Sequence, residues 1–273
     1  MCPINKNYYE KKWFVTGASS GIGRNLTEQL LEAGHTVFAT LRKPELLKEL
    51  VEKYPGRLYL DYLELTDLTS IEKAVSNAYE KLGQLDIAVS NAGIGVFGAV
   101  EELDSSTIIK QLNINLLGSI MLIKALIPFL RKQPEGGHII QVSSEGGQIT
   151  YPGFSLYHAS KWGIEGFVEA TAQDVLSFNI RFTIAEPGPT STNFGNSLSI
   201  AEPMEAYQGT SVNEIRKLID TGFGKLDDVA DVAKAIIECT TLQDPPLRLP
   251  IGSVATKNLI TGLQKRLDSI KMI

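Results

Sequence analysis

A phenol and a primary amine stand four residues apart in Tyr157-His158-Ala159-Ser160-Lys161. On a helix, positions i and i+4 share one face. A free tyrosine loses its proton near pH ~10 and is a poor base at neutrality. An ammonium about 4 Å away, at an effective dielectric of about 20, favours the phenolate by roughly 4 kcal/mol before desolvation. The spacing predicts a phenol drawn down by about one to three pH units, toward where it can exchange a proton with a substrate oxygen. Alone, Tyr-x-x-x-Lys also describes an ordinary surface pair, so its context decides. Ser143-Ser144 closes the apolar run 139–142, and Ser144 lies thirteen residues before Tyr157. Asn115 interrupts the apolar helical stretch 112–126. A mid-helix asparagine is unfavourable there unless it faces solvent or has a task. Asn91-Ala92-Gly93 follows the short apolar run 87–90.

A second group of residues suits a phosphate. Thr16-Gly17-Ala18-Ser19-Ser20-Gly21-Ile22-Gly23 joins the apolar run 12–15 to a helical pattern carried by Ile22, Leu26, Leu30 and Ala33. Gly17, Gly21 and Gly23 permit a tight turn and close backbone approach, and the following helix offers free N–H groups and a positive dipole end to a pyrophosphate. Strand, turn and helix appear in the order that dinucleotide binding requires. A glycine-rich turn without a ligand is the plainer alternative. No Gly-Lys-Ser/Thr follows, which disfavours a nucleotide triphosphatase. NAD-binding folds carry an acid at the end of the second strand for the ribose hydroxyls. Here Leu41-Arg42 stands there: Leu41 removes a repulsion and Arg42 supplies a planar cation for a 2′-phosphate.

These residues need elements to position them. Residues 36–41 read as a β-branched and aromatic strand, and Gly34 as the stop of the helix before it. Pro44 opens a helix to about residue 54, and 57–65 reads as a strand. Ile71, Ala74, Val75, Ala78 and Leu82 recur at helical spacing. A long helix is expected over 105–130, a strand over 139–142, a helix over 155–178 and a strand over 180–185. Strands alternating with helices of this length predict an α/β, doubly wound, Rossmann-type three-layer fold in one domain over 1–273. Residues 193–224 break the rhythm with Asn, Ser, Gly and Pro, yet carry Phe194, Met204, Tyr207 and Phe223. They read as a lid over an apolar pocket or, more plainly, as a surface helical hairpin.

Composition narrows the classes. Among 273 residues, 26 Lys+Arg against 31 Asp+Glu give a net charge of −5, and no basic run exceeds two residues, so no nucleic-acid partner is expected. Cys2 and Cys239 lie at opposite ends of the chain. A disulfide framework is therefore not expected, and a reducing, cytoplasmic compartment is. Residues 1–10 carry no apolar core of a secretory signal. The apolar run 118–130 is broken by Lys124 and Pro128 and reads as a buried helix, with no membrane partner. His35, His138 and His158 lack ligand spacing, so no metal is expected.

Together, Thr-Gly-x-x-x-Gly-Ile-Gly at 16–23, Asn-Ala-Gly at 91–93, Asn-x-x-Gly at 115–118, Ser144, Tyr-x-x-x-Lys at 157–161 and Pro-Gly-x-x-x-Thr at 187–192 resemble the short-chain dehydrogenase/reductase family in its compact single-domain branch. The resemblance implies a seven-stranded parallel sheet, a nicotinamide cofactor and a catalytic set of Asn115, Ser144, Tyr157 and Lys161. In that family Tyr157 would be the acid/base, and Lys161 would lower its pKa and hold the nicotinamide ribose. Ser144 would bind the substrate oxygen, and Asn115 would hold a water of a proton relay. Pro187, Gly188 and Thr192 would orient the carboxamide. Gly17, Ser19, Ser20, Gly21, Ile22, Gly23, Leu41, Arg42 and Asn91-Ala92-Gly93 would line the cofactor. Glu64-Leu65 stands where the family often has Asp-Val beside the adenine, and Ser90-Asn91 replaces a more usual double asparagine. The run 38–42 is similar to hydroxysteroid dehydrogenases that prefer NADP(H). The family also associates as homodimers or homotetramers through the helices holding Asn115 and Tyr157.

The expected activity is an NADP(H)-dependent interconversion of a small hydrophobic secondary alcohol and its ketone. Ser144, Tyr151, Phe154, Tyr157, Phe194 and Tyr207 are the expected substrate wall. A cofactor-binding regulator without catalysis is the rival from another class. A serine hydrolase lacks its Gly-x-Ser-x-Gly elbow, and the glycine spacing argues against epimerases of the extended branch. Steady-state kinetics with both dinucleotides check the Leu41-Arg42 reading: KM is expected to be lower for NADP(H), and a clear preference for NAD(H) refutes it.

Overall fold

The computed structural model describes residues 10–192, 198–221 and 226–271. Seven strands form one parallel sheet in the order β3-β2-β1-β4-β6-β7-β9, with β1 Lys12–Thr16, β2 Thr36–Leu41, β3 Leu58–Tyr62, β4 Ile87–Ser90, β6 Gly137–Val142, β7 Ile180–Pro187 and β9 Arg248–Ile251. Alternate side chains of a strand point to opposite faces, and the core divides accordingly. Trp13, Val15, Ile87, Val89, Ile140 and Val142 pack with Leu26, Leu30, Val232 and Ile236, from α1 (Gly21–Glu32) and α8 (Val229–Cys239). Phe14, Ala88 and Ile139 face the other way, onto Ile71, Val75, Leu122, Leu126, Ile164 and Val168. Those belong to α3 (Leu68–Leu82), α5 (Ser119–Leu130) and α6 (Ser155–Asp174). This is the expected doubly wound fold, with apolar strands covered on both faces.

Local chemistry sets the ends of these elements. Asp67 caps α3 by accepting from the Thr69 amide at 2.9 Å, and Gly83, at φ 76°, ends it in the left-handed region. The long helix holds α4 (Ser105–Leu112) and α5 on either side of a π-helical turn, Asn113–Gly118. The combined helix is long and apolar enough to cross a membrane by length and composition. Its buried Ser119, Leu122, Ile123, Leu126 and Leu130 pack into the protein. Several boundaries differ from the periodicity: β6 already begins at Gly137 and β7 runs on to Pro187. Residues 44–53 divide into a 3-10 turn, Pro44–Leu47, and a short α2, Lys48–Lys53. β3 stops at Tyr62, and beyond it Glu64 accepts from the Thr66 amide and hydroxyl. α6 stops at Asp174 and gives way to a 3-10 turn, Leu176–Phe178, closed by Asn179 at φ 56°. The helix α8, the strand β9 and the final helix α9 (Ser253–Lys271) lie where the sequence carried no element expectation.

The stretch after β7 has structure of its own. Two residues of β5 (Val96–Phe97) pair in parallel with two of β8 (Ser199–Ile200), and α7 spans Ser211–Thr221. Arg216 of α7 donates to Glu102 at 2.7 Å and to the Ala201 carbonyl at 2.7 Å, and lies 5.1 Å from the Phe97 ring centre. The Glu102 side chain is fully buried and also accepts from the Ala99 and Met204 amides.

All three histidines are buried. Burial, with Lys11 and Arg181 nearby, pushes His138 down to about 4. Its Nε2 lies 2.9 Å from the Thr183 hydroxyl. A ring held neutral in the fold contributes stability that is complete above its unfolded value of about 6.5 and lost as pH falls toward 4. The buried carboxylates Glu165 and Glu186 are raised and act in the opposite sense, so a comparison between variants isolates the ring. Thermal melts at pH 7 and pH 5 are expected to show a smaller acid-induced drop in Tm for His138→Gln than for the parent chain.

Candidate active site

In an open parallel sheet, ligands bind beyond the carboxyl ends of the strands, where the strand order reverses. That point lies between β1 and β4. The Thr16 hydroxyl accepts from the Asn91 amide at 2.9 Å and the Ala92 amide at 3.1 Å. The Asn91 side chain donates back to the Thr16 carbonyl at 2.9 Å. The Gly17 and Ala18 amides donate to the Thr40 carbonyl of β2. Gly17, at φ 68°, passes so close that an added Cβ would stand 2.9 Å from the Ala92 Cα. A Cβ on Gly23 would meet the Gly17 carbonyl oxygen at 2.4 Å. Ser20 precedes α1 in extended conformation without a side-chain cap, which leaves the first-turn amides at Gly21, Ile22 and Gly23 to an outside acceptor. Ser19 and Ser20 are exposed beside them. An open helix end over a cradle without side chains fits a pyrophosphate.

The remaining expected cofactor positions fall along the same edge. Leu41 is buried, while Arg42 is exposed and has no ion-pair partner among the described residues. The Glu64 carboxylate is engaged with Thr66, and the Leu65 carbonyl would lie 2.7 Å from a Cβ on Gly118. Gly93 abuts Asn115, and Gly188, after Pro187 at the end of β7, abuts Ala255. Thr192 comes within 3.4 Å of a Cβ position on Gly21, so the phosphate loop and the loop after β7 meet.

The four candidate catalytic residues occupy one neighbourhood. Tyr157 and Ser144 are joined by a hydrogen bond that favours the phenolate, yet burial outweighs it and the nearby Glu145 and Glu165 add to the rise, which takes the phenol up to about 12. The sequence expectation of a depressed phenol is therefore corrected. The Lys161 ammonium donates to the Val142 carbonyl at 3.0 Å and stands 5.7 Å from the Tyr157 ring centre. Burial pulls Lys161 itself down to about 8, opposed by Glu165. Of the serine pair, Ser143 turns inward to Glu165 at 2.6 Å, whereas Ser144 accepts from the Gly146 amide and faces Tyr157. Asn115 sits in the π-helical turn, and such turns recur at functional sites. Its side-chain amide accepts from the Ile94 amide at 2.9 Å and donates to the Ile94 carbonyl at 2.8 Å. It thus bonds the backbone of the β4 loop as a strand would.

Two residues of the expected substrate wall, Phe154 and Tyr157, lie side by side. The Phe154 ring packs edge-on against Phe97, with centres 5.1 Å apart, and against Tyr157 at 6.3 Å. The Tyr151 hydroxyl is spoken for by Glu145 at 2.8 Å and Asn258 of α9 at 3.2 Å. The Tyr207 hydroxyl bonds Glu101. Phe194 and Phe223 lie outside the described residues. His158 is fully engaged: its Nε2 accepts from the Tyr151 amide at 2.7 Å and its Nδ1 bonds the Gly146 carbonyl at 2.8 Å. Residues missed by the sequence reading stand close behind. Glu145 is buried beside Ser144, and Glu165, Glu186 and Arg248 form an ionic cluster. Glu165 lies four residues beyond Lys161, a spacing legible in the sequence; its partners come from β7 and β9.

A glycine cradle at the switch point, with a serine and a tyrosine in contact beyond β6, defines a dinucleotide-binding α/β oxidoreductase. The model of the short chain dehydrogenase family matches residues 11–203, and the chain belongs to that family as an NAD(P)-dependent enzyme. It is 37% identical over 249 residues to the oxidoreductase BOA17 of Botryotinia fuckeliana, covering 90% of each chain. It is 31% identical over 241 residues to the 3-ketodihydrosphingosine reductase of Bacteroides thetaiotaomicron, covering 87% of this chain and 86% of that one. A short-chain dehydrogenase from Streptomyces avermitilis superposes with a TM-score of 0.89 at 33% identity, over 97% of this chain and 96% of that one.

The cradle can be tested directly. Gly23→Ala places a methyl group against backbone, an overpacking that costs about 1–3 kcal/mol. Titration by protein fluorescence is expected to show dinucleotide affinity weakened roughly tenfold or more, with a lowered Tm.

Proposed function

We propose that this chain reduces a hydrophobic ketone to a secondary alcohol with NADPH, with Tyr157 as the proton donor. The contact between the Ser144 and Tyr157 hydroxyls carries the reading. A carbonyl oxygen lodged between them accepts a hydrogen bond from each, which stabilises the negative charge that develops as the carbonyl is reduced. The bound nicotinamide supplies the hydride. Tyr157 releases its proton to the substrate oxygen, so ketone, hydride and proton together make the alcohol. A phenol up at about 12 holds its proton at neutral pH, which suits donation and favours the reductive direction. Lys161, charged below about 8, steadies the phenolate left behind and holds the cofactor ribose. Asn115, at the π-helical turn, fixes the loop after β4 against this machinery and holds the water that returns a proton.

The 2′-phosphate preference rests on the exposed Arg42, which has no ion-pair partner among the described residues, and on the buried Leu41 where an acid would repel it. Gly17, Ser19, Ser20, Gly21, Ile22 and Gly23 would hold the pyrophosphate, and Asn91, Ala92, Gly93, Pro187, Gly188 and Thr192 the nicotinamide end. Phe154 and the buried Phe97 make the substrate side apolar, in keeping with a relative named for reducing a keto group on a sphingoid chain. The segment 193–224 would serve as a lid within one catalytic domain; residues 193–197 and 222–224 of it lie outside the described residues.

Reduced-nicotinamide absorbance with a panel of ketones tests the assignment. Tyr157→Phe is expected to retain NADP(H) binding and lose turnover at least ~100-fold. Near-parental turnover in that variant refutes the role of the phenol. Cofactor binding by the parent chain without turnover on a broad panel favours the regulator instead.

A further inference from the structure

Behind Ser144 lies a buried ionic cluster that the reaction as described does not use. Glu165 is 2% exposed and lies one turn beyond Lys161 on α6. One carboxylate oxygen accepts from the Ser143 hydroxyl at 2.6 Å. The other is paired with Arg248 of β9. Arg248 also donates to Glu186 of β7 at 2.9 Å and to Glu169 at 2.7 Å, and Gln148 donates to Glu186 at 2.8 Å. The Glu165 carboxylate also stands beneath the turn that follows Ser144: a Cβ on Gly147 would fall 1.6 Å from its oxygen. Only a glycine lets that turn pass. Glu165 therefore borders Ser144 on both sides, through the Ser143 hydroxyl before it and Gly147 after it.

We propose that Glu165 is a positioning residue: its carboxylate, clamped by Arg248, fixes the 143–147 turn so that Ser144 meets Tyr157, and supplies the negative charge that faces Lys161 within the same buried layer. This rests on the reading of Ser144, Tyr157 and Lys161 given above. The charges close around it. Two buried carboxylates, Glu165 and Glu186, face two cations, Arg248 and Lys161, while Glu169 stands half-exposed at the rim. From the other side Glu145 faces Tyr157 and is bonded to Tyr151 and Asn258. His158 is bonded to Gly146 and to the Tyr151 amide. An unpartnered Lys161 at this depth sheds its proton more easily, because burial disfavours the charged form. The negative charge of Glu165 also raises the phenol of Tyr157. Removing it moves both groups the same way, toward earlier proton loss.

The test follows ketone reduction across pH with the full chain and NADPH. Glu165→Gln keeps a hydrogen-bonding partner for Ser143 and removes the charge. The alkaline fall of kcat is expected to begin about one pH unit lower, with kcat at neutral pH reduced roughly tenfold or more. Cofactor affinity by fluorescence titration should stay within about threefold of the parent, since the carboxylate touches no cofactor position. Ser143→Ala removes the hydrogen bond and keeps the charge, so kcat should fall without movement of the alkaline limb. A Glu165→Gln enzyme with an unmoved limb overturns the proposal, whether its kcat is intact or is lost together with cofactor affinity and Tm as a scaffold defect. Should Glu165→Gln fail to fold, Ser143→Ala decides, and an unchanged kcat there overturns the proposal. Turnover that survives Tyr157→Phe sinks the reading of the site and this proposal with it. An inert Tyr157→Phe enzyme beside an unmoved Glu165→Gln profile sinks the proposal alone.

Discussion

Everything at the carboxyl edge depends on how closely two neighbouring strands can end beside each other. β1 and β4 lie side by side, and their onward connections leave toward opposite faces of the sheet. Such a divergence opens a crevice that no side chain has to vacate. It stands open because its backbone is satisfied from within: Thr16 bonds two amides of the β4 loop, and Asn91 answers to the Thr16 carbonyl. The glycines at 17 and 23 allow main chain to approach main chain there, and the uncapped start of α1 faces the gap. Were those amides paired with side chains, the helix end would have nothing left to offer an anion.

The proton chemistry proposed for this site rests on the opposite balance. Ser144, Tyr157 and Lys161 are gathered where burial raises the phenol and lowers the amine. Each shift disfavours the charged form, as desolvation requires. A site held in this state keeps its phenol protonated, and the ammonium is kept from neutrality by nearby negative charge. In the proposed reaction, the pairing of a buried base with a buried acid one helical turn away would matter as much as the phenol itself.

The sheet, its strand alternation and the phosphate loop were legible in the chain because periodicity and glycine spacing are local properties. Strand β2 has the bounds that its apolar run suggested, and the separation of Trp13 and Val15 from Phe14 follows from a period of two. What stayed hidden depends on long-range partners. Arg248 is 83 residues from Glu165, and Arg216 is 114 residues from Glu102. The depth of Tyr157 reversed the sign expected of its pKa, since a spacing rule prices the neighbouring charge and omits desolvation. Asn115 stood out as a polar residue in an apolar helix. Its π-helical turn and its two hydrogen bonds to the Ile94 backbone could be found only once the β4 loop was in place.

The two-residue ladder between β5 and β8 divides the molecule's labour. The candidate reactive groups sit on the sheet edge, whereas the described residues 198–221 are fastened through Glu102, Phe97 and Arg216. Substrate preference can consequently drift among descendants of this fold without disturbing the chemistry beneath, provided that both sides of the fastening change in concert. A graft that carried residues 199–221 alone into a related scaffold would arrive with its arginine and leave the receiving carboxylate to chance; residues 96–102 would have to travel with it.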